Sequence, residues 1–148
     1  MERLRLRFGR GEPVRFISHL DIIRFWDRTF RRAQIPLVYS HGFTPRPRIA
    51  VASPLVVGVT SEAELMDIWL NKRIFPQTLL LKVRIELPVG FMLFDAWGID
   101  LDAPSIQSTL AFAEYRIEVH SDMMEQQATI QIQQLLQAKT LPWHHLKK

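Results

Sequence analysis

The feature that most constrains the fold is a change in apolar spacing within residues 3–33. In "RLRLRF" (3–8) charged and apolar residues alternate, which predicts a half-buried strand with its arginines on one face. Ser18 then occupies an N-cap position, and Asp21 adds negative charge to the first turn of a helix. Spacings of three and four predict a buried helical face consisting of Leu20, Ile23, Trp26, Phe30 and Ala33. Pro36 ends this helix.

Four further elements follow within the first hundred residues. Segments 49–57, 63–70 and 91–99 are predicted to be strands, and Pro54 indicates an edge position or a bulge in the first of them. A second helix is predicted in 76–87 from the spacing of Leu79, Leu80, Val83 and Leu87. The order strand, helix, strand, strand, helix, strand predicts an α+β fold of the ferredoxin-like type, an antiparallel sheet with two helices on one face.

In such a sheet the first and third strands form the central pair. The face away from the helices would then carry Arg3, Arg5, Arg7, Asp67 and Trp69.

The remaining residues predict a partial second unit. Residues 101–109 resemble a linker, and 113–119 ("AEYRIEV") alternate as a strand. The spacing of Met124, Ala128, Ile132 and Leu135 predicts a helix that ends near Leu141–Pro142. We therefore expect a ferredoxin-like unit in 1–102 and a strand-helix unit in 103–148. That second unit is either truncated, or its elements cover the exposed face of the first sheet.

Composition excludes several classes of protein. The chain has no cysteine, so it holds neither an iron–sulfur cluster nor zinc through thiolates. Its five histidines lack ligand spacing, and His144–His145, beside two lysines, indicates a solvated tail. We expect no metal and no other cofactor. No apolar run of about 18 residues is present, and "MERLRLRF" lacks the apolar core of a signal peptide, so a cytoplasmic location with no membrane partner is expected.

The positive charge is concentrated in the first third of the chain. Residues 1–50 contain eleven arginines and four acidic residues, a formal charge of +7, whereas the remainder carries −3. No lysine precedes Lys72. Arginine suits bidentate binding of phosphate or carboxylate, so this bias indicates a surface that faces an anion. A solvated arginine-rich surface is the alternative.

Three motifs carry a resemblance to a known family. They are "SHLD" at the helix start (18–21), a "YS-x-GF-x-P-x-P" loop (39–47) and "PL-x-x-G-x-x-SEAE-x-x-D" (54–67). The chain resembles the radical-SAM-linked domain proteins, a bacterial family without an established activity that is encoded beside, or fused to, radical SAM enzymes. Its motif residues here are Ser18, His19, Asp21, His41, Gly42, Phe43, Pro45, Pro47, Glu64 and Asp67. In that family the loop commonly carries a histidine where this chain has Arg46.

The resemblance implies a radical SAM protein as partner and an accessory role. We expect a non-catalytic module that binds RNA or another anionic macromolecule. The residues expected to bind it are Arg3, Arg5, Arg7, Arg24, Arg28, Arg31, Arg46 and Trp69. No catalytic set of nucleophile, base and orienting residue is evident among the motif residues together with Arg46. Ser18 and Asp21 are explained by helix capping.

Two alternatives remain open at this stage. The first is a docking domain for the radical SAM protein, because arginine and exposed aromatics are also enriched at protein interfaces. The second is a metal-independent endoribonuclease with His19 as general base, on a layout like that of CRISPR RNA-processing proteins. Those proteins carry a glycine-rich C-terminal loop, and this chain has no glycine after Gly98.

Overall fold

The structure, a computed structural model, describes residues 1–120 and 122–140. The chain divides into two units, Met1–Ala113 and Glu114–Lys148. Two sequence predictions, the helix end near Leu141–Pro142 and the His144–His145 tail, lie outside the described residues.

The first unit is a mixed α+β structure built on an open antiparallel sheet. Its four strands are β1 (Glu2–Arg10), β2 (Ile49–Val51), β3 (Ser61–Leu70) and β4 (Phe91–Ile99). They lie in the order β2-β3-β1-β4, so β1 and β3 are the central pair, as the sequence predicted. β2 is three residues long, whereas the apolar run predicted a strand over 49–57. Its position at the sheet edge fits the presence of Pro54, which cannot donate to a strand ladder.

Alternation along β1 divides the sheet into two chemically different faces. Leu4, Leu6 and Phe8 are buried in the core. Arg3 lies opposite Trp69 of β3, and Arg5 lies opposite Asp67. The predicted sharing of one face by these four side chains is therefore confirmed.

The core face of the sheet is covered by α1 (His19–Arg32) and α2 (Pro76–Ile85). Ser18 caps α1 as predicted, because its side chain accepts a hydrogen bond from the Asp21 backbone N–H. The buried face of α1 consists of Ile22, Trp26, Thr29 and Phe30. Leu20 was predicted to be buried, but it is 67% exposed, because the helix is rotated so that the residue two positions later faces the sheet.

Trp26 is the centre of an aromatic core. Its ring meets Phe8 at 5.1 Å and Phe25 at 5.2 Å, both edge-on, and stacks on Phe30 at 5.3 Å. Phe25 in turn stacks on Phe91 of β4 at 3.9 Å. These contacts hold α1 against the central strand β1 and the edge strand β4. Aromatic pairs in such orientations stabilise a fold by more than the area they bury. α2 contributes Leu79 and Val83 to the same core.

Residues 101–109 were predicted to be a linker, but they form part of the folded unit. A short helix, α3 (Ile106–Thr109), begins at the capping residue Ser105, and Ile106 is buried. The Gln107 side chain donates to the backbone O of Val51 at 2.7 Å. The segment before α3 lies against the face that carries Arg3 and Asp67, so that face is partly covered within this unit.

The second unit contains α4 (Glu125–Gln137), which confirms the helix predicted there. The strand predicted over 113–119 is not formed, since no regular structure occurs in 111–120 and these residues are exposed. A strand is stabilised by its ladder, and no partner strand is present among the described residues of this unit. In the described ranges, no helix has the length and apolar character needed to cross a membrane.

Candidate functional site

The arginines of β1 form a buried ion-pair cluster with Asp67. Asp67 is fully buried, and its Oδ2 accepts from Arg3 Nη2 at 2.6 Å and from Arg3 Nε at 3.1 Å. Arg5 Nε donates to Asp67 Oδ1 at 2.7 Å. The pKa of Arg5 is raised, first by its hydrogen bond to Asp67. Removing a charge from water is costly, so this cluster is stable only because each charge is paired.

Arg3 also fixes the segment before α3. Its Nη1 donates to the Ala103 backbone O at 2.7 Å, and its Nη2 donates to the Pro104 backbone O at 2.8 Å. All of its guanidinium nitrogens therefore have partners within the fold. The prediction that Arg3 lies on a free binding surface does not agree with this burial.

Trp69 is also unavailable for base stacking. Its ring has the Arg3 guanidinium at 5.0 Å and the Arg48 guanidinium at 4.4 Å, and the residue is 9% exposed. This geometry does not support the predicted stacking of a base on Trp69, because the residue is buried and two arginines contact its ring. Of the β1 arginines predicted to bind, Arg7 is the exposed one, with its guanidinium 5.4 Å from the Phe94 ring.

A second group of arginines lines an open cleft of about 890 Å³ along α1. We call it the α1 cleft. Arg24, Arg28 and Arg32 lie on successive turns of the helix and all line it. The other lining residues are Phe16, Ile17, Ser18, Asp21, Phe25, Glu86, Leu87 and Pro88. Three cations at a spacing of four residues form one charged stripe on a helix.

The three arginines of the stripe differ in how they are paired. Arg24 Nη1 bonds to Asp21 Oδ1 at 3.1 Å, and Arg32 Nε bonds to Glu86 Oε2 at 3.0 Å. Arg32 Nη2 also donates to the Glu86 backbone O at 3.0 Å and to Thr29 Oγ1 at 3.4 Å. Both ion pairs lie at the surface, although Glu86 is only partly exposed. Arg28 makes no hydrogen bond or ion pair with any described residue. The sequence-based binding set contains Arg31 and not Arg32. In the structure it is Arg32 that lines the cleft.

Arg31 faces away from the cleft into a polar network with Asp27 and Tyr39. Its Nε donates to the Tyr39 hydroxyl at 3.0 Å, and that hydroxyl donates to Asp27 Oδ1 at 2.7 Å. Burial raises the pKa of Tyr39, and its hydrogen bond to Asp27 acts in the same direction. The network connects α1 to the start of the motif loop (residues 39–47).

The motif loop projects its tip into solvent. The Ser40 N–H donates to the Arg46 backbone O at 2.8 Å, and the Arg46 N–H donates to Ser40 Oγ at 3.0 Å. Gly42 has φ +127°, a conformation that side chains with a Cβ rarely adopt. His41, Phe43, Pro45 and the Arg46 side chain are exposed, and Pro47 forms a backbone bridge with Tyr39. The loop is therefore a closed hairpin with an apolar ring at its tip.

A separate cavity, which we call the Arg10 cavity, lies beside the first turn of α1. It has a volume of about 10 Å³, and its polar lining consists of Arg10, His19, Ser53 and Glu64. Arg10 is 1% exposed and donates to the backbone O atoms of Val56 and Val59, both at 2.8 Å. Its Nε is buried without a hydrogen-bond partner. Burial lowers the pKa of Arg10, and the charge of Glu64 partly offsets this shift.

The structure divides the motif residues among four places, and the buried ion-pair cluster that contains Asp67 is the first of them. His19 and Glu64 line the Arg10 cavity, whereas Ser18 and Asp21 line the α1 cleft. His41 and Arg46 belong to the motif loop. Within the described ranges, no three His, Asp or Glu side chains are grouped so as to hold a metal ion. Sequence reasoning missed Arg10, although it continues the core-facing period of Leu4, Leu6 and Phe8.

This fold and these sites define a small α+β protein with a basic cleft and a separate polar cavity. The chain belongs to the family described as an uncharacterized protein conserved in bacteria (DUF2344), whose profile matches residues 3–148. No curated protein matches the chain.

Proposed function

We propose that this protein is a non-catalytic accessory module that binds RNA in the α1 cleft on behalf of a radical SAM protein. We also propose that the Met1–Ala113 unit has the ferredoxin-like fold. Its element order and the sheet order β2-β3-β1-β4 support that assignment.

The observation that carries the RNA proposal is the arginine stripe of the α1 cleft. Arg24, Arg28 and Arg32 present planar guanidinium groups on one side of a single helix. Phosphates of a single strand bind such groups bidentately, and the release of counterions drives the association. Arg28 supports this role, because its guanidinium donors make no hydrogen bond with any residue in the described part of the chain and are available to a ligand.

An aromatic side chain near the stripe provides a place for a base. Phe16 lines the cleft and is 70% exposed, with the Arg15 guanidinium 4.8 Å from its ring. Single-stranded nucleic acids are held by such combinations of basic groove and stacking ring. Phe16 therefore takes the role that the sequence suggested for Trp69.

The test is RNA binding across a salt series by wild type and an Arg24→Ala/Arg28→Ala/Arg32→Ala variant. Wild type should lose affinity steeply with salt, and the variant should have a slope smaller by about 2, because each contact with a single strand contributes about 0.7. The matched control, Lys72→Ala/Arg73→Ala/Lys82→Ala, removes the same charge from exposed positions outside the cleft. Its slope should stay near that of wild type. Equal, weak binding by all three proteins would remove the RNA proposal.

The same samples test the endoribonuclease alternative. RNA recovered after incubation should be intact. Cleavage that disappears in a His19→Ala variant would instead favour that alternative.

Partnership with a radical SAM protein is supported by the motif resemblance, and the exposed tip of the motif loop favours docking as a second function. Phe43 is fully exposed on a hairpin that is fixed at both ends. We expect a radical SAM protein of the kind encoded beside the proteins that this chain resembles to co-elute with it in gel filtration. A Phe43→Ser variant should lose co-elution, whereas Phe75→Ser, at an exposed site outside the loop, should keep it. Co-elution unaffected by Phe43→Ser would exclude the loop as the docking site.

A further inference from the structure

The Arg10 cavity and the α1 cleft are neighbours at the first turn of α1. Ser18 lines the cleft, and the next residue, His19, lines the cavity. Arg10 links the two, since its Nη1 donates at 3.3 Å to the backbone O of Ile17, a residue of the cleft wall. A strand in the cleft that passes Ser18 therefore reaches the turn of α1 that also lines the cavity.

The size of the cavity decides which group enters it. A volume of about 10 Å³ corresponds to about one water molecule. A phosphate or a base is too large. A single hydroxyl group or a water molecule fits.

The polar side chains of the lining determine which hydrogen bonds the occupant must donate and accept. Arg10 Nε is a buried donor without a partner, and the Glu64 side chain is an acceptor that makes no hydrogen bond with any described residue. The His19 and Ser53 side chains likewise make no hydrogen bond in the described part of the chain. A buried donor without a partner is costly, so an occupant of the cavity is stabilising if it accepts from the Arg10 guanidinium. The same occupant can donate to the Glu64 carboxylate. A hydroxyl group does both, whereas an anion is disfavoured by Glu64.

We propose that the Arg10 cavity takes the 2′-hydroxyl of a ribose and so makes the protein prefer RNA to DNA. This inference rests on the proposed function, since the strand is held in the α1 cleft. The 2′-hydroxyl, which donates and accepts, is the group by which a protein distinguishes the two nucleic acids. Discrimination then depends on Glu64 and Arg10, whereas affinity for either nucleic acid depends on the cleft arginines.

The experiment compares single strands of one sequence as RNA, as DNA and as 2′-O-methyl RNA, at fixed salt. Wild type should bind RNA about tenfold more tightly than DNA, which one charge-assisted hydrogen bond provides. The 2′-O-methyl strand should bind no better than DNA, because it cannot donate and is too large. Glu64→Ala should bind RNA and DNA equally, with DNA affinity kept. Glu62→Ala, an exposed site on the same strand, removes the same charge and should keep the preference.

The outcomes separate this inference from the proposed function. Salt-dependent binding of RNA and DNA with equal affinity would overturn the inference and leave the cleft proposal intact. Binding of neither strand would overturn both. If Glu64→Ala does not fold, Glu64→Gln, which keeps the size of the side chain and removes its charge, takes its place, and a reduced preference for RNA is the expected result. A preference that persists in these variants would mean that the cavity holds a structural water only, which overturns the inference.

Discussion

Two sets of arginines in this protein have regular spacing but differ in whether they are paired within the fold. Arg3 and Arg5 of β1 alternate with apolar residues, and both guanidinium groups are paired within the fold. Arg24, Arg28 and Arg32 of α1 recur every four residues and line an open cleft. The same residue type therefore stabilises the sheet in one place and remains available to a ligand in the other.

The difference lies in the carboxylates that face each set. Asp67 is directly opposite Arg5 in the β1–β3 register and is fully buried, so it fixes two guanidinium groups at once. The acidic partners of the α1 arginines are Asp21, which is exposed, and Glu86 at the end of α2, which is partly exposed. Exposed ion pairs are weak because water and salt screen them, so a phosphate competes with them readily. The spacing of the arginines thus predicts a charged face. Whether that face is paired within the fold or open to a ligand depends on the burial of the opposing carboxylate.

The largest expected effect comes from removing the buried carboxylate. Asp67→Asn should lower the free energy of unfolding by about 3–5 kcal/mol, because Arg3 and Arg5 keep their charges without a counter-ion. Urea unfolding at pH 7 measures this. Asp102→Asn, the same change at an exposed site, is the control and should have little effect. Equal stability of the two variants would mean that the two sets of arginines do not differ as described.

A smaller effect is expected at the cap of α1. Ser18→Ala should cost about 0.5–2 kcal/mol, because the hydroxyl no longer accepts from the Asp21 backbone N–H. Thr60→Ala, at an exposed site without a cap, is the control. A loss of RNA binding in Ser18→Ala without any loss of stability would show that this residue belongs to the site and not to the fold.

Ser18 also affects how the stability of the protein depends on pH in the acid range. The hydrogen bond from the Ser18 hydroxyl, at 2.7 Å, is the main cause that lowers the pKa of Asp21, and Arg24 adds to it. A lowered folded-state pKa contributes stability above the ordinary Asp value of about 3.9, and this contribution is lost as the pH falls through the folded pKa. An NMR titration should therefore show the Asp21 pKa rising in Ser18→Ala. An unchanged titration curve would contradict the assigned cause.

The sequence predicted the elements whose pattern is local. β4 matches its predicted range, and the capped start of α1 is where Ser18 indicated. The strand over 113–119 failed because alternation indicates an amphipathic strand without supplying a partner for its ladder. Residues 101–109 were misread because the fold of that segment depends on long-range bonds from Arg3 and on the burial of Ile106.

The candidate sites were less predictable, because each joins segments distant in sequence. The Arg10 cavity combines β1, the start of α1, the end of β2 with the residues that follow it, and β3. The sequence marked His19 and Glu64 as motif residues, but only the fold brings them to one cavity with Arg10. The burial of Trp69 depends on Arg48, which lies outside its strand, and nothing local to 63–70 indicates this contact.

The smallest change in stability is expected for Arg28. Arg28→Ala should leave the free energy of unfolding within about 0.5 kcal/mol of wild type, because it breaks no hydrogen bond or ion pair with the described residues. Arg3→Ala, the same substitution in the other set, should destabilise strongly, since it removes a counter-ion of Asp67 and the bonds to Ala103 and Pro104. Urea unfolding and RNA binding of both variants, with wild type alongside, complete the comparison. Arg28→Ala should weaken RNA binding at unchanged stability, and a variant that loses stability without losing affinity would place Arg28 in the fold and not in the site.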